Sequence, residues 1–181
     1  PGCLVDAIVV AEPQERNEAY MALTGSFEIP YKEWHTWNEK INDLSQKQRK
    51  NNIPANIIGK RAAKELRVDD IVNIGIGIPE TVARFARKSG MLDMITLTVE
   101  SGGIGGFPVS GEAFGAMIGA ASVYDMANQF DLYDNGGLDV CFMGALEVDK
   151  YGNINAHRGT GAFAGIGGFA NITAKTPTVV F

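Results

Sequence analysis

Residues 71–100 read IVNIGIGIPETVARFARKSGMLDMITLTVE, and this stretch decides the fold. IVNIGIG is short, apolar and β-branched, as a buried strand is. Pro79 opens a helix over PETVARFARKSG: proline suits the first turn, Glu80 the positive end, and Gly90 stands just past the last turn. In MITLTVE, Ile95, Leu97 and Val99 alternate with Thr96, Thr98 and Glu100, which predicts a second strand. Strand, helix, strand in this order predicts a parallel pair joined by a crossover helix.

The flanking sequence repeats the theme. ANIIGKRAAKELR (55–67) has apolar positions at helical spacing, with Lys and Arg late. Downstream, 119–134 (GAASVYDMANQFDLYD) predicts a helix closed by Gly136-Gly137, and LDVCFMGA a buried strand. GALEVDKYGNINAH predicts a hairpin about Tyr151-Gly152-Asn153, GIGGFANITAK a loop feeding a short helix, and TVVF a last strand. The fold expected is α/β: an open, mainly parallel twisted sheet with flanking helices. At the start, LVDAIVVA (4–11) reads as a strand without a sheet of its own, the end of an upstream domain. Residues 12–50 hold Pro13, Gly25, Pro30, many polar residues, and Trp34 and Trp37. They read as an aromatic linker that packs on something. The division expected is therefore 1–11, 12–50 and a domain over 51–181.

Composition excludes several classes. The chain has 181 residues and a formal net charge of −5, which gives no general attraction to nucleic acid or anionic membrane. No apolar run approaches the roughly 20 residues of a spanning helix. Cys3 and Cys141 make no Cys-x-x-Cys pattern, and two histidines do not make a usual zinc site, so no metal is expected. A cytoplasmic, reducing compartment is the default, and Cys141, in an apolar run, reads as a buried inert thiol.

Glycine is unevenly placed: 16 of its 22 occurrences follow Glu100. Three strand-to-loop passages carry the pattern: Gly75-Ile76-Gly77-Ile78-Pro79, Glu100-Ser101-Gly102-Gly103-Ile104-Gly105-Gly106, and Gly165-Ile166-Gly167-Gly168. Ligands of open α/β sheets bind outside the carboxyl ends of strands, where glycines admit close approach and leave amides for oxyanions. The first loop is no dinucleotide fingerprint, since position 80 is Glu and Pro79 removes an amide. Glu100 ends a strand before flexible backbone. With an unperturbed pKa of about 4.3 it would be ionised, a nucleophile needing no base. A glutamate before glycines also fits a turn residue.

VNIGIGIPE, TLTVESGGIGG, QFDLYDNGGLDVCFMGALEVDKYGNIN and GIGGFANIT together resemble the second, β-like half of the family I coenzyme A transferases, nearest the acetate/3-ketoacid and propionate type. The resemblance is strong over 53–181. Residues 1–11 look like the end of that family's first half, and 12–50 like its linker. It implies a fold shared with certain sugar-phosphate isomerases. It also implies a ping-pong transfer of CoA from an acyl-CoA to a free short-chain carboxylate or 3-oxoacid, through a glutamyl-CoA thioester on Glu100. By the same resemblance Gly167 and Gly168 supply oxyanion amides, while Gly75, Ile76, Gly77, Ile78 and Gly165 line the CoA cleft. Coenzyme A is substrate, and no cofactor is implied. The partners implied are the missing N-terminal, α-like half and, in the whole enzyme, further copies. Phe107, Pro108 and Phe169 are candidates for excluding water, or ordinary packing. Asp131, Asp134 and Asp139 read as helix capping, and His157 as structural. An acyl-CoA hydrolase on the same scaffold, and a non-catalytic CoA or sugar-phosphate binding module, stay open as alternatives.

Overall fold

The computed structural model describes residues 53–109, 114–159, 162–163 and 165–181. The strand expected at 4–11, the linker at 12–50, both tryptophans and Cys3 lie outside the described residues. Helix α1 (Ile53–Ala62) leads through a 3-10 turn to β1 (Ile71–Ile74). Helix α2 (Glu80–Lys88) then crosses to β2 (Thr96–Thr98). Short strands follow: β3 (Gly103–Ile104), β4 (Phe107–Pro108), β5 (Met117–Ile118) and β6 (Ser122–Val123). Helix α3 (Met126–Asp134) and β7 (Val140–Phe142) form the next crossover. The antiparallel pairs β8 (Glu147–Val148) with β9 (Ile154–Asn155), and β10 (Arg158–Gly159) with β11 (Ala162–Phe163), precede α4 (Phe169–Ala174) and β12 (Thr178–Val180).

Six strands form the main sheet, in the order β12-β7-β1-β2-β3-β6. β12, β7, β1 and β2 are parallel, and β3 and β6 extend the sheet antiparallel. The mainly parallel α/β sheet predicted from the strand-helix-strand pattern is therefore present. The chain runs from β1 to β2 on one side and returns to β7 on the other. The strand order thus reverses beside β1, the kind of place where open sheets bind ligands.

Strand alternation divides the core between the two faces. Val72, Ile74, Leu97, Val99, Val140 and Phe142 pack with Val82, Ala83 and Ala86 of α2 and with Ala62 and Leu66. Cys141 and Met143 lie on the other face with Tyr133, Leu138 and Ile172, and Ile71 and Val179 border them. Each large apolar side chain so buried contributes roughly 1.5–3 kcal/mol. Helix α1 approaches α2 closely at Gly59, where a Cβ would lie 1.9 Å from Thr81 Oγ1.

One prediction is corrected. The helix expected over 119–134 begins only at Met126. Ser122 and Val123 pair with Ile104 and Gly103 as an edge strand instead, and the helix opens when Gln129 N–H reaches the Asp125 carbonyl at 3.0 Å. Backbone pairing to the sheet edge outweighs the helical propensity of Ala120 and Ala121. The hairpin about Tyr151–Asn153 forms as predicted, with Asp149 accepting the N–H groups of Tyr151 and Asn153, each at 2.8 Å.

Candidate active site at the carboxyl edge of the sheet

The parallel strands β1, β2, β7 and β12 all end at one edge. Gly75–Pro79 follows β1, Glu100–Gly102 follows β2, and Gly144 follows β7, where an added Cβ would lie 3.6 Å from the Ile76 carbonyl oxygen. The ring of Phe169, which begins α4, lies 5.9 Å from that of Phe181, just past β12. The Gly165–Gly168 loop therefore belongs to the same edge. All three glycine passages picked out in the sequence are brought to it. Ile76, Ile78, Leu146, Ile166 and Phe181 are exposed there, an apolar surface around the strand ends.

Glu100 stands in the turn that reverses β2 into β3. Gly102 N–H closes the turn on the Val99 carbonyl at 3.0 Å, and Val99 N–H reaches the Gly103 carbonyl at 3.0 Å. Ser101 Oγ donates to the Gly115 carbonyl and ties the turn to the loop before β5. Gly102 makes this closeness possible, because a Cβ there would lie 1.8 Å from the Tyr124 carbonyl oxygen.

The register then determines what Glu100 meets. Asn73 of β1 pairs with Thr98 of β2, and strand alternation puts position 100 on the same face as Thr98. The Asn73 side chain and Glu100's own N–H act on the Glu100 carboxyl as donors that favour its ionised form. Behind them lies a buried polar group. Asn73 Nδ2 donates to Tyr133 Oη at 3.3 Å, and Gln129 Nε2 donates to the same oxygen at 2.9 Å. Tyr133 Oη donates to Thr98 Oγ1 at 3.0 Å, which donates to the Val72 carbonyl at 3.0 Å. Partial burial raises the Glu100 carboxyl above its ordinary 4.5, and these hydrogen bonds pull it partly back. The expectation of an unperturbed carboxylate is thereby corrected. The upward shift makes the Glu100 carboxylate more basic, while the Asn73 donor still favours its ionised form. Burial also raises the Tyr133 phenol, which stays protonated.

The other expected residues are placed as follows. Gly75 is buried and donates its N–H to Phe142 O at 2.7 Å. Gly77 N–H is held by Glu80 Oε1 at 2.7 Å, a reciprocal cap at the start of α2. Gly165 N–H donates to His157 O at 3.2 Å. These three amides are thus committed to the fold, and what the first loop offers a ligand is its exposed Ile76 and Ile78 side chains. Gly167 and Gly168 lie in the loop entering α4. Gly168 is packed so tightly on Phe130 that a Cβ would meet its ring at 2.8 Å, and Phe130 meets Tyr133 edge-on at 5.7 Å. Phe107 is part of the core, in line with ordinary packing. Asp139 accepts Ile71 N–H at 2.8 Å and Asp134 accepts Asn171 Nδ2 at 3.0 Å. They tie elements together and do not cap helices. His157 is exposed, and Cys141 is buried. Among the described residues no group of three or more His, Cys, Asp or Glu is placed to hold a metal, and no helix is long and apolar enough to cross a membrane.

Sequence reasoning passed over Asn73, Tyr133 and Gln129. The available signal was Asn73 itself: an amide in the middle of IVNIG, on a strand buried on both faces, demands a polar partner.

Comparison with known proteins follows the same residues. The family profile described as "Coenzyme A transferase" matches residues 55–165, more than half of the chain. Acetate CoA-transferase YdiF of Escherichia coli (strain K12) is 36% identical over 184 residues, covering 100% of this chain and 32% of that protein. The acetate CoA-transferase subunit beta of the same strain is 38% identical over 107 residues, covering 54% of this chain and 48% of the relative. The crystal structure of an acyl-CoA transferase (YdiF) from E. coli O157:H7, a thioester complex with CoA, superposes with a TM-score of 0.62 at 37% identity. The match covers 69% of this chain and 23% of that one. The chain thus spans about a third of the length of the full-length relative. From the profile, the relatives and the sheet they share, the chain belongs to the coenzyme A transferase family and corresponds to its β-like half.

Proposed function

We propose that this chain carries the nucleophile of a CoA-transferase that moves CoA from an acyl-CoA to a free short-chain carboxylate or 3-oxoacid. The observation that carries the reading is Glu100. It is a partly buried carboxylate with its pKa raised by burial and drawn partly back by Asn73, whose strand position pairs with Thr98, at the sheet edge where the glycine loops converge. The thioester complex of the YdiF relative supports the covalent route.

In the proposed route, a Glu100 oxygen attacks the acyl-CoA carbonyl and the carbon–sulfur bond breaks. CoA thiolate leaves, and the acyl group remains as a mixed anhydride. The thiolate then attacks the glutamyl carbonyl and expels the free carboxylate, leaving a glutamyl-CoA thioester. An acceptor carboxylate reverses the two steps. Thioester is exchanged for thioester, so the balance calls for no electron or proton carrier and no cofactor. Amides of Gly167 and Gly168 are assigned to the tetrahedral oxyanions, where one donor is worth roughly 10²–10³ in rate. The loop Gly75–Ile78, with Gly165, is assigned to the CoA moiety, now through apolar contact from Ile76 and Ile78.

The chain's share of its full-length relative, together with the β-subunit relative, supports dependence on an α-like half for the rest of the cleft. Isotope-labelled acetate supplied with unlabelled acetyl-CoA tests the reaction class in the protein assembled with that half. Label entering acetyl-CoA is expected. Acyl-CoA loss independent of added acid would instead establish a hydrolase, and CoA binding without either a binding module. The chain alone is expected to show little or no turnover. Turnover by it, abolished in Glu100→Asp, would refute that dependence.

A further inference from the structure

The polar group behind Glu100 has a direction that its atoms impose. The Val72 carbonyl can only accept, so the Thr98 hydroxyl spends its hydrogen there at 3.0 Å. Thr98 Oγ1 must then accept from Tyr133, whose single hydrogen is thereby committed at 3.0 Å. Tyr133 Oη is left with acceptor capacity only, and both amides that reach it must present N–H: Gln129 at 2.9 Å and Asn73 at 3.3 Å. A reversed Asn73 amide would set Oδ1 against an oxygen with no hydrogen to give. Asn73 is therefore held with its NH₂ group towards Tyr133 and the carboxylate.

This orientation is kept at a cost. Asn73 Oδ1 and Gln129 Oε1 are buried without a hydrogen-bond partner among the described residues. An orphaned buried acceptor is destabilising, because its lost hydration is not replaced. Neither amide is turned to satisfy its own oxygen, so the hydroxyl chain sets their orientation.

We propose that Tyr133, itself polarised by Thr98, is a positioning residue for Glu100: it fixes the Asn73 amide so that an N–H, never a carbonyl oxygen, faces the carboxylate. The proposal rests on the reading of Glu100 as nucleophile. Tyr133 touches no reacting atom and acts only through Asn73. A reversed amide would repel the Glu100 carboxylate and turn its oxygen away from the thioester carbon, and small misplacements of reacting atoms are costly.

The test is the rate of CoA attachment to Glu100 in the protein assembled with the α-like half. The protein is mixed rapidly with acetoacetyl-CoA, quenched, and read by peptide mass. Rates over a range of acetoacetyl-CoA separate the limiting rate from half-saturation. Tyr133→Phe removes the acceptor of Asn73. Thr98→Val keeps the side-chain shape but frees the Tyr133 hydrogen to turn towards Asn73 Oδ1, so the amide can reverse. Leu138→Ala, in the same core cluster as Tyr133 but outside the hydroxyl chain, controls for lost packing. Both relay variants are expected to lower the limiting rate by about 10- to 100-fold with half-saturation unchanged, and Leu138→Ala to leave the limiting rate at the wild-type value. Should Tyr133→Phe fail to fold, Thr98→Val decides alone. Wild-type limiting rates in the relay variants, or an equal loss in Leu138→Ala, would overturn the proposal while the nucleophile reading stands. Absence of any adduct on Glu100 in the wild-type protein would overturn both.

Discussion

Gly102→Ala probes the turn that holds Glu100. Gly102 has φ +114°, a region that side chains rarely adopt, and left-handed backbone costs a non-glycine residue about 1–2 kcal/mol. Its added Cβ would also lie 1.8 Å from the Tyr124 carbonyl oxygen and 3.2 Å from the Tyr124 nitrogen. That nitrogen donates to the Gly102 carbonyl at 2.9 Å, so Tyr124, just after β6, cannot retreat without losing this hydrogen bond. Forced overpacking of this kind adds about 1–3 kcal/mol. The two effects sum to about 2–5 kcal/mol. Gly90→Ala is the matched control: its φ is +74°, but nothing lies within 4 Å of the added carbon. It should show the backbone cost alone, about 1–2 kcal/mol. Urea denaturation of the purified chain reads both as shifts in midpoint at constant slope. Equal shifts for the two variants would refute the claim that β6 presses on the Glu100 turn.

Three further outcomes follow from burial. Glu100→Gln should stabilise the chain at pH 7. The carboxyl is raised in the folded state, so its ionised form destabilises above that value, and the variant's advantage should shrink as pH falls and vanish below the ordinary 4.5; thermal melts across pH 4–8 check it. Cys141, buried and with its thiol pushed up to about 11, should resist iodoacetamide at pH 8 in the native chain and react in urea, as peptide mass spectrometry would show. Leu97→Ala, at 2% exposure in the larger core cluster, should cost about 2–5 kcal/mol by chemical denaturation.

The parallel part of the fold was legible because its signals are long and periodic. IVNIG and LDVCFMG are uninterrupted apolar runs, and PETVARFARKSG carries proline, acid and glycine where a helix needs them. The antiparallel extension was not legible. Strands β3 to β6 are two residues each, too short to show a period, and glycines interrupt them. The same brevity hid Ser122–Val123 inside an apparent helix. At the candidate site, Glu100 stands out in the sequence from its position between a strand and glycines. Its Asn73 and Tyr133 neighbours do not, because they come from β1 and α3 and are brought together only by strand register and helix packing. The glycine amides were legible as a pattern but not in use: Gly75, Gly77 and Gly165 spend their N–H groups on Phe142, Glu80 and His157.

The central claim is that Glu100 becomes covalently attached to CoA. Incubating the protein assembled with the α-like half with acetoacetyl-CoA, trapping with borohydride and sequencing the peptides by mass tests it directly. A modification confined to Glu100, absent from Glu100→Gln, is the predicted result. CoA bound with no covalent mark, or a mark on any other residue, would contradict it.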